Sequence, residues 1–269
     1  SMSMEHDRAR RRWVDPTRPF LQILGVTDRA HKVLPSMAHK WKQINRFVEI
    51  FEGAFKASAL AEKTDLKVVD FGSGKGYLTF AIHDFLQHAM KKNVSVTGIE
   101  IRPDLVAFCE GAARALNLAG LSFEKGDLNT FSPTGLDVTI ALHACDTATD
   151  QAIRLGVNQG AEIILCAPCC HKEIRPQMVA PEILRPVLRH GIHAAQEAEM
   201  VTDALRVLAL ESRGYEAQVF EFVSMEDTAK NKLILAVRNP NAVQRDLALS
   251  RIEALKGFYG IRSHALDAL

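Results

Sequence analysis

The chain has 269 residues, 47% of them hydrophobic, and its 33 Lys and Arg nearly balance 32 Asp and Glu, for a formal charge of +1. That length and apolar content allow one large α/β domain with additions at both ends, while a charge so close to zero favours no class of partner. No apolar run approaches the roughly 18 residues of a membrane span and no apolar signal core opens the chain, so a soluble, unsecreted protein is expected.

In chain order, residues 1–55 read as an N-terminal basic and helical extension. It begins with the run Arg8-Ala-Arg-Arg-Arg12. A helix is predicted from about Ala38 to Phe51, because Trp41, Ile44, Phe47, Val48 and Phe51 recur near the helical period. Residues 56–238 form the predicted core domain. Asn239-Pro240-Asn241 breaks the chain, and residues 239–269 form a C-terminal extension with an amphipathic helix from about Ala242 to Lys256.

The core domain opens on Lys67-Val-Val-Asp-Phe-Gly-Ser-Gly-Lys-Gly-Tyr-Leu-Thr-Phe80, an apolar strand, a glycine-rich loop and the start of a helix reaching about Met90. Gly72, Gly74 and Gly76 let a ligand lie directly against backbone. Asp70 stands at the carboxyl end of the strand, the edge at which α/β sheets bind ligands. A dinucleotide fingerprint, G-x-G-x-x-G, delivers a pyrophosphate to the helix N-terminus. Here the order is G-x-G-x-G, Tyr77 stands where the third glycine would be, and Asp70 would repel a pyrophosphate and attract a cation.

This segment resembles motif I of the class I S-adenosyl-L-methionine (SAM)-dependent methyltransferases, whose cofactor carries a sulfonium and an ammonium but no phosphate. A second strand, Val94-Ser-Val-Thr-Gly-Ile-Glu100, again ends in an acid. Glu100 follows the loop at about the ~20-residue distance at which a carboxylate meets a ribose diol. A third strand, Leu121 to Gly126, leads to Asp127-Leu128, where the methyltransferase pattern places an acid that accepts from the adenine amino group. The expected fold is therefore α/β, a doubly wound, mostly parallel Rossmann-like sheet. The implied cofactor is SAM, with Asp70, Gly72, Gly74, Gly76, Glu100, Asp127, Leu128 and His143 as its contacts.

The fourth strand, Asp137 to Leu142, runs into His143-Ala-Cys-Asp-Thr-Ala-Thr-Asp150, and the fifth, Ala161 to Cys166, runs into Ala-Pro-Cys-Cys-His-Lys172. The five cysteines are odd in number and three crowd this strand end, so no disulfide framework is apparent and a cytoplasmic setting is expected. The pair LHACDTATD and APCCHKE, with Thr228-Ala-Lys-Asn-Lys232, resembles a methyltransferase subgroup that includes the glutathione S-transferase C-terminal-domain-containing proteins. The likeness covers roughly Lys67 to Val237. The Asn-Pro-Pro-Tyr acceptor motif of amino-group methylating enzymes is absent.

That resemblance implies catalytic candidates His143, Asp146, Cys169 and His171. His143, His171 or Asp146 would serve as general base toward an aligned acceptor. Cys169 alternatively would be a nucleophile of the C5-pyrimidine kind, with its pKa lowered by nearby His or Lys172. The base mechanism is preferred. Zinc on Cys169, Cys170, His171, His143 and Cys145 is conceivable, but paired C-x-x-C units are missing and no metal is expected. Thr147 to Asp150 also reads as a capping box, and Cys166 as a small core hydrophobe. The stretch from Lys172 to Met200 reads as an acceptor lid, with Asp203 and Arg206 either facing the site or pairing on the surface. RNA is the preferred acceptor because of the basic arm. The rival readings are an NAD(P)-dependent oxidoreductase and a non-catalytic RNA-binding or scaffold protein that keeps the fold.

Overall fold

The computed structural model of the chain describes residues 13–143, 148–168, 172–222 and 232–269. Asp146, Cys169 and His171, and with them Cys145, Thr147, Cys170 and the arm Arg8–Arg12, lie outside the described residues.

A short helix α1 (Pro19–Ile23) and a 20-residue helix α2 (Ala38–Ala57) lead into β1 (Asp65–Phe71). Then come α3 (Tyr77–Asp84), β2 (Asn93–Glu100), α4 (Pro103–Ala115), β3 (Leu121–Lys125), β4 (Val138–Ala141), α5 (Ala148–Asn158) and β5 (Ile163–Cys166). The chain closes with α6 (Arg185–Leu188), α7 (Gly191–Ser212), β6 (Tyr215–Glu221), β7 (Lys232–Arg238) and α8 (Arg245–Tyr259).

The seven described strands form one sheet in the order β3-β2-β1-β4-β5-β7-β6. β1 to β5 are mutually parallel, and β7 runs antiparallel between β5 and β6. This is a doubly wound, mostly parallel, Rossmann-like sheet. Its inner strands are apolar without alternation because helices cover both faces. Val68, Val69, Val138, Ile140, Ile163, Ile164 and Leu165 are all fully buried. The chain winds outward from β1 through β3 and then crosses to β4, so the crevice between the carboxyl ends of β1 and β4 is the topological switch point, where such sheets bind ligands.

The N-terminal segment climbs along α3 toward that crevice. Arg18 pairs with Asp84 at the far end of α3 (2.8 Å), Phe20 stacks on Phe80 (6.5 Å between centroids), and Lys40 Nζ lies 5.4 Å from the centre of the Tyr77 ring at the start of α3. The apolar face of α2 enters the same core as β1, with Ile44, Phe47 and Phe51 fully buried beside Val68 and Phe80. A separate cluster of Ile174, Leu188, Val201, Leu205, Tyr259 and Ile261 holds the stretch after β5 against α7 and α8. No helix among the described residues is long and apolar enough to cross a membrane.

Candidate active site

The loop after β1 is strapped to the end of β2. Three successive amides are committed: Gly72 N–H and Ser73 N–H both donate to the Ile99 carbonyl (2.8 and 3.1 Å), and Gly74 N–H donates to the Glu100 carboxylate (2.8 Å). Such a sharp reversal needs left-handed backbone, and Gly72, Gly74 and Gly76 have φ of 71°, 58° and 81°. Two of these glycines have different surroundings. A Cβ on Gly76 would stand 2.9 Å from Cys109 Sγ and 3.2 Å from the Phe80 ring, whereas a Cβ on Gly74 would meet nothing nearer than the Gly72 carbonyl oxygen at 4.0 Å. Gly76 is closed in by the fold; Gly74 faces open space.

At the end of the same loop lies a cavity of about 380 Å³ whose walls include Gly72, Glu100, Ile101, Asp127, Leu128 and His143. Five of these are residues proposed from sequence as cofactor contacts. Glu100 is buried, its Oε1 accepts from Arg102 N–H (3.3 Å), and each oxygen keeps lone-pair capacity for further donors. Asp127 Oδ1 accepts from the amides of Asn129 and Thr130, so that oxygen organises its own turn.

Asp70 occupies a different position. Its carboxyl is buried beneath the loop, accepts a hydrogen bond from Thr79 Oγ1 (2.7 Å), and does not line the cavity. Burial pushes its pKa up to about 7; the Thr79 hydrogen bond pulls the other way and the nearby Glu100 charge adds to the rise. Cys109 lies under the same loop, its Sγ 3.7 Å from the Gly74 carbonyl. Burial, reinforced by Glu100, Glu110 and Asp70, pushes this thiol up to about 12, so it is neutral packing material.

Beyond the cavity, α7 carries a buried ion network. Arg206 Nε and Nη2 reach Asp150 Oδ1 and Oδ2 (2.8 and 3.3 Å), and Arg206 Nη1 lies 3.6 Å from Asp203. Lys232, the last residue of the TAKNK run, joins Asp203 (3.2 Å) and Glu199 (3.0 Å). Asp203 and Arg206 therefore neither face the cavity nor pair on the surface; they join the residues that follow the fourth strand to the start of β7. Asp150, Glu173 and His264 are near enough to share a cation, but both Asp150 oxygens are already bonded to Arg206.

Of the four catalytic candidates, His143 is the one among the described residues, and it stands on the cavity wall at the end of β4. Sequence reading missed Ile101, Asn129 and Gln151 on the same wall. Ile101 had a signal: it is an apolar residue directly after a strand-end acid, and it is 63% exposed. Asn129 and Gln151 had none, since they are polar residues in a turn and a helix start.

On the cavity wall, Glu100 keeps acceptor capacity for hydroxyl donors, Asp127 adds a second acid, and Ile101 and Leu128 are apolar, so the residues present fit a nucleoside-bearing cofactor.

A family profile described as a methyltransferase domain matches residues 39–177. The chain belongs to that family. The matched residues start inside α2 and include the glycine loop, Glu100, Asp127 and His143. The relatives include the glutathione S-transferase C-terminal domain-containing protein homolog of Drosophila melanogaster, 25% identical over 209 residues, which are 66% of this chain and 34% of that protein. The Homo sapiens glutathione S-transferase C-terminal domain-containing protein is 23% identical over 223 residues, 74% of this chain and 33% of that protein. The chain thus spans about a third of the length of these curated relatives. Among solved structures, an rRNA methylase from Streptococcus thermophilus has a TM-score of 0.41 at 13% identity, covering 67% of this chain and 92% of that one. A precorrin-6y C5,15-methyltransferase from Geobacter metallireducens has 0.39 at 12%, covering 71% and 88%. At these scores neither likeness bears on activity.

Proposed function

We propose that this methyltransferase-family protein binds SAM in the cavity at the switch point and transfers its methyl group to an acceptor that is RNA. The observation that carries the cofactor reading is the commitment of the loop amides. Gly72, Ser73 and Gly74 donate to a carbonyl and a carboxylate, so these three loop amides are not free to cradle a pyrophosphate. This supports a phosphate-free cationic nucleoside over NAD(P). Glu100 would accept from the ribose hydroxyls, Ile101 and Leu128 would flank the adenine, and Asp127 would accept from its amino group. Asp70, buried beneath the loop, would contribute negative potential to the cationic end of the ligand.

SAM, when bound, supplies an electrophilic methyl on a sulfonium. His143, on the cavity wall, would be the general base, taking the proton that an acceptor hydroxyl or amine gives up when it is methylated. Asp146, Cys169 and His171 stay proposed partners on the acceptor side. The buried thiol Cys109 is in no disulfide, which suits a cytoplasmic protein.

Titration calorimetry with SAM, S-adenosylhomocysteine, NAD(H) and NADP(H) tests the cofactor; binding of the nicotinamide pair without the SAM pair would refute it. Incubation with methyl-labelled SAM and separated RNA, protein and metabolite fractions tests the acceptor, with label expected in RNA.

A further inference from the structure

Residues 29–48 contain Arg29, Lys32, Lys40, Lys42 and Arg46, with His31 and His39, and not one Asp or Glu. In a chain whose 33 Lys and Arg nearly balance 32 Asp and Glu overall, this is a strong local segregation. We propose that this face, formed by the first turns of α2 and the turn that precedes it, seats the phosphate backbone of the RNA acceptor; the assignment rests on the methyl-transfer reading above only in naming that RNA as the acceptor.

The cations are placed as a surface patch. Arg29, His31, Lys32, His39 and Lys42 are exposed, and none of Arg29, Lys32 and Lys42 is in an ion pair among the described residues. Arg46 differs, pairing with Glu49 at 2.8 Å. The patch reaches the glycine loop: Lys40 lies over the ring of Tyr77, the residue directly after Gly76, and Lys75 is exposed within the loop itself. A strand held here would pass beside the glycine loop that precedes α3.

The arrangement works against the isolated fold. The first turn of α2 has no acid and no side-chain cap at Met37, and His39, Lys40 and Lys42 stand at the positive end of the helix dipole, where cations destabilise. A polyanion removes that repulsion. The opposite face of α2 is anchored by Gln43, Ile44, Phe47 and Val48, all buried, so the cations ride on a fixed platform. A membrane is the weaker match, because a helix lying on lipid needs an outward apolar face, and residues 29–48 include no exposed large hydrophobic residue.

The test compares three full-length proteins: the parent, Arg29→Gln/Lys32→Gln/Lys42→Gln, and a control with the same charge loss elsewhere, Arg114→Gln/Arg251→Gln/Arg262→Gln. Binding of a fluorescent 20-nucleotide RNA is followed by anisotropy at several salt concentrations, and SAM binding by calorimetry. The patch variant should bind RNA at least tenfold more weakly at low salt, and its salt slope should fall by about 0.7 for each phosphate that is no longer neutralised. The control should match the parent, and SAM affinity should be equal in all three. Equal RNA losses in both variants, or none in the patch variant, would overturn the proposal. So would competition by polyglutamate or phosphatidylserine vesicles as effective as RNA at matched charge. A parent that binds SAM but no RNA refutes this patch and leaves the cofactor reading standing; one that binds RNA but no SAM does the reverse.

Discussion

The Glu100 carboxylate accepts the Gly74 amide at 2.8 Å, so the acid that ends the second strand holds in place the loop that follows the first. One side chain thereby shapes the cavity and offers acceptors to whatever fills it. Replacing it removes both roles. Glu100→Ala should weaken SAM binding by about 1–3 kcal/mol, the cost of leaving polar groups unpaired, while Glu100→Gln, which keeps one acceptor for Gly74, should lose less. Calorimetry of both variants ranks them; equal losses would show that the loop bond contributes nothing.

The two neighbouring glycines should separate stability from binding. Gly76→Ala forces a methyl against Cys109 and Phe80 at a φ of 81°, so its loss should appear as a lower melting temperature, by a few degrees for each ~1 kcal/mol. Gly74→Val puts a branched side chain on the open side of the loop, and beyond the strain of its φ should mainly abolish SAM binding. Paired thermal-melt and binding measurements check this; a Gly74→Val protein that binds SAM like the parent would move the cofactor elsewhere.

Asp70 makes stability and binding oppose each other. Its folded pKa is raised to about 7 from an unfolded value of 3.8, so the folded chain holds a proton that the unfolded chain releases. The resulting stabilisation is complete below the unfolded value and is lost as pH rises toward about 7. Asp70→Asn keeps an acceptor for Thr79 and cannot ionise. Without ligand it should be more stable than the parent at pH 8, by on the order of 1–3 kcal/mol, with a flatter profile between pH 4 and 7. Its affinity for SAM should fall, because the carboxylate that favours a cation is gone. Urea unfolding across pH and calorimetry at pH 8 test the two halves; identical pH profiles would mean that Asp70 ionises freely.

The strands were readable because the inner ones are apolar and an acid or glycine, Asp70, Glu100 or Gly126, lies within one residue of the observed end of β1, β2 and β3. Helix ends were less so. α2 runs to Ala57, past the expected Phe51, because Ala54 and Phe55 continue its buried stripe, and the helix after the loop passes into a π-helical turn over Phe85–Ala89. α8 spans Arg245–Tyr259 and stops at Gly260, whose φ of 67° provides a left-handed cap. Within the site, the spacing of Glu100, Asp127 and His143 carried their common location. The partnership of Asp70 with Thr79 was not legible, since it depends on how α3 folds back over β1. Nor was that of Asp150 with Arg206, 56 residues apart, where only the tertiary fold brings the two together.

That pair yields the last prediction. Arg206 and Asp150 are both almost wholly buried, and the guanidinium contacts two carboxylates, Asp150 and Asp203. Burying an ion pair gains little over an apolar pair, but removing one partner strands the other's charge in a medium that cannot solvate it. Arg206→Leu should therefore cost about 3–5 kcal/mol. Asp203 keeps Lys232 as a counter-charge, so the stranded group is chiefly Asp150. Asp150→Asn in the same chain should then recover a large part of the loss, and urea unfolding of the two single variants and the double variant measures this coupling. If the double variant loses the sum of the single losses, the two residues do not act as a unit, and the link from α7 to the residues after the fourth strand is not held by this pair.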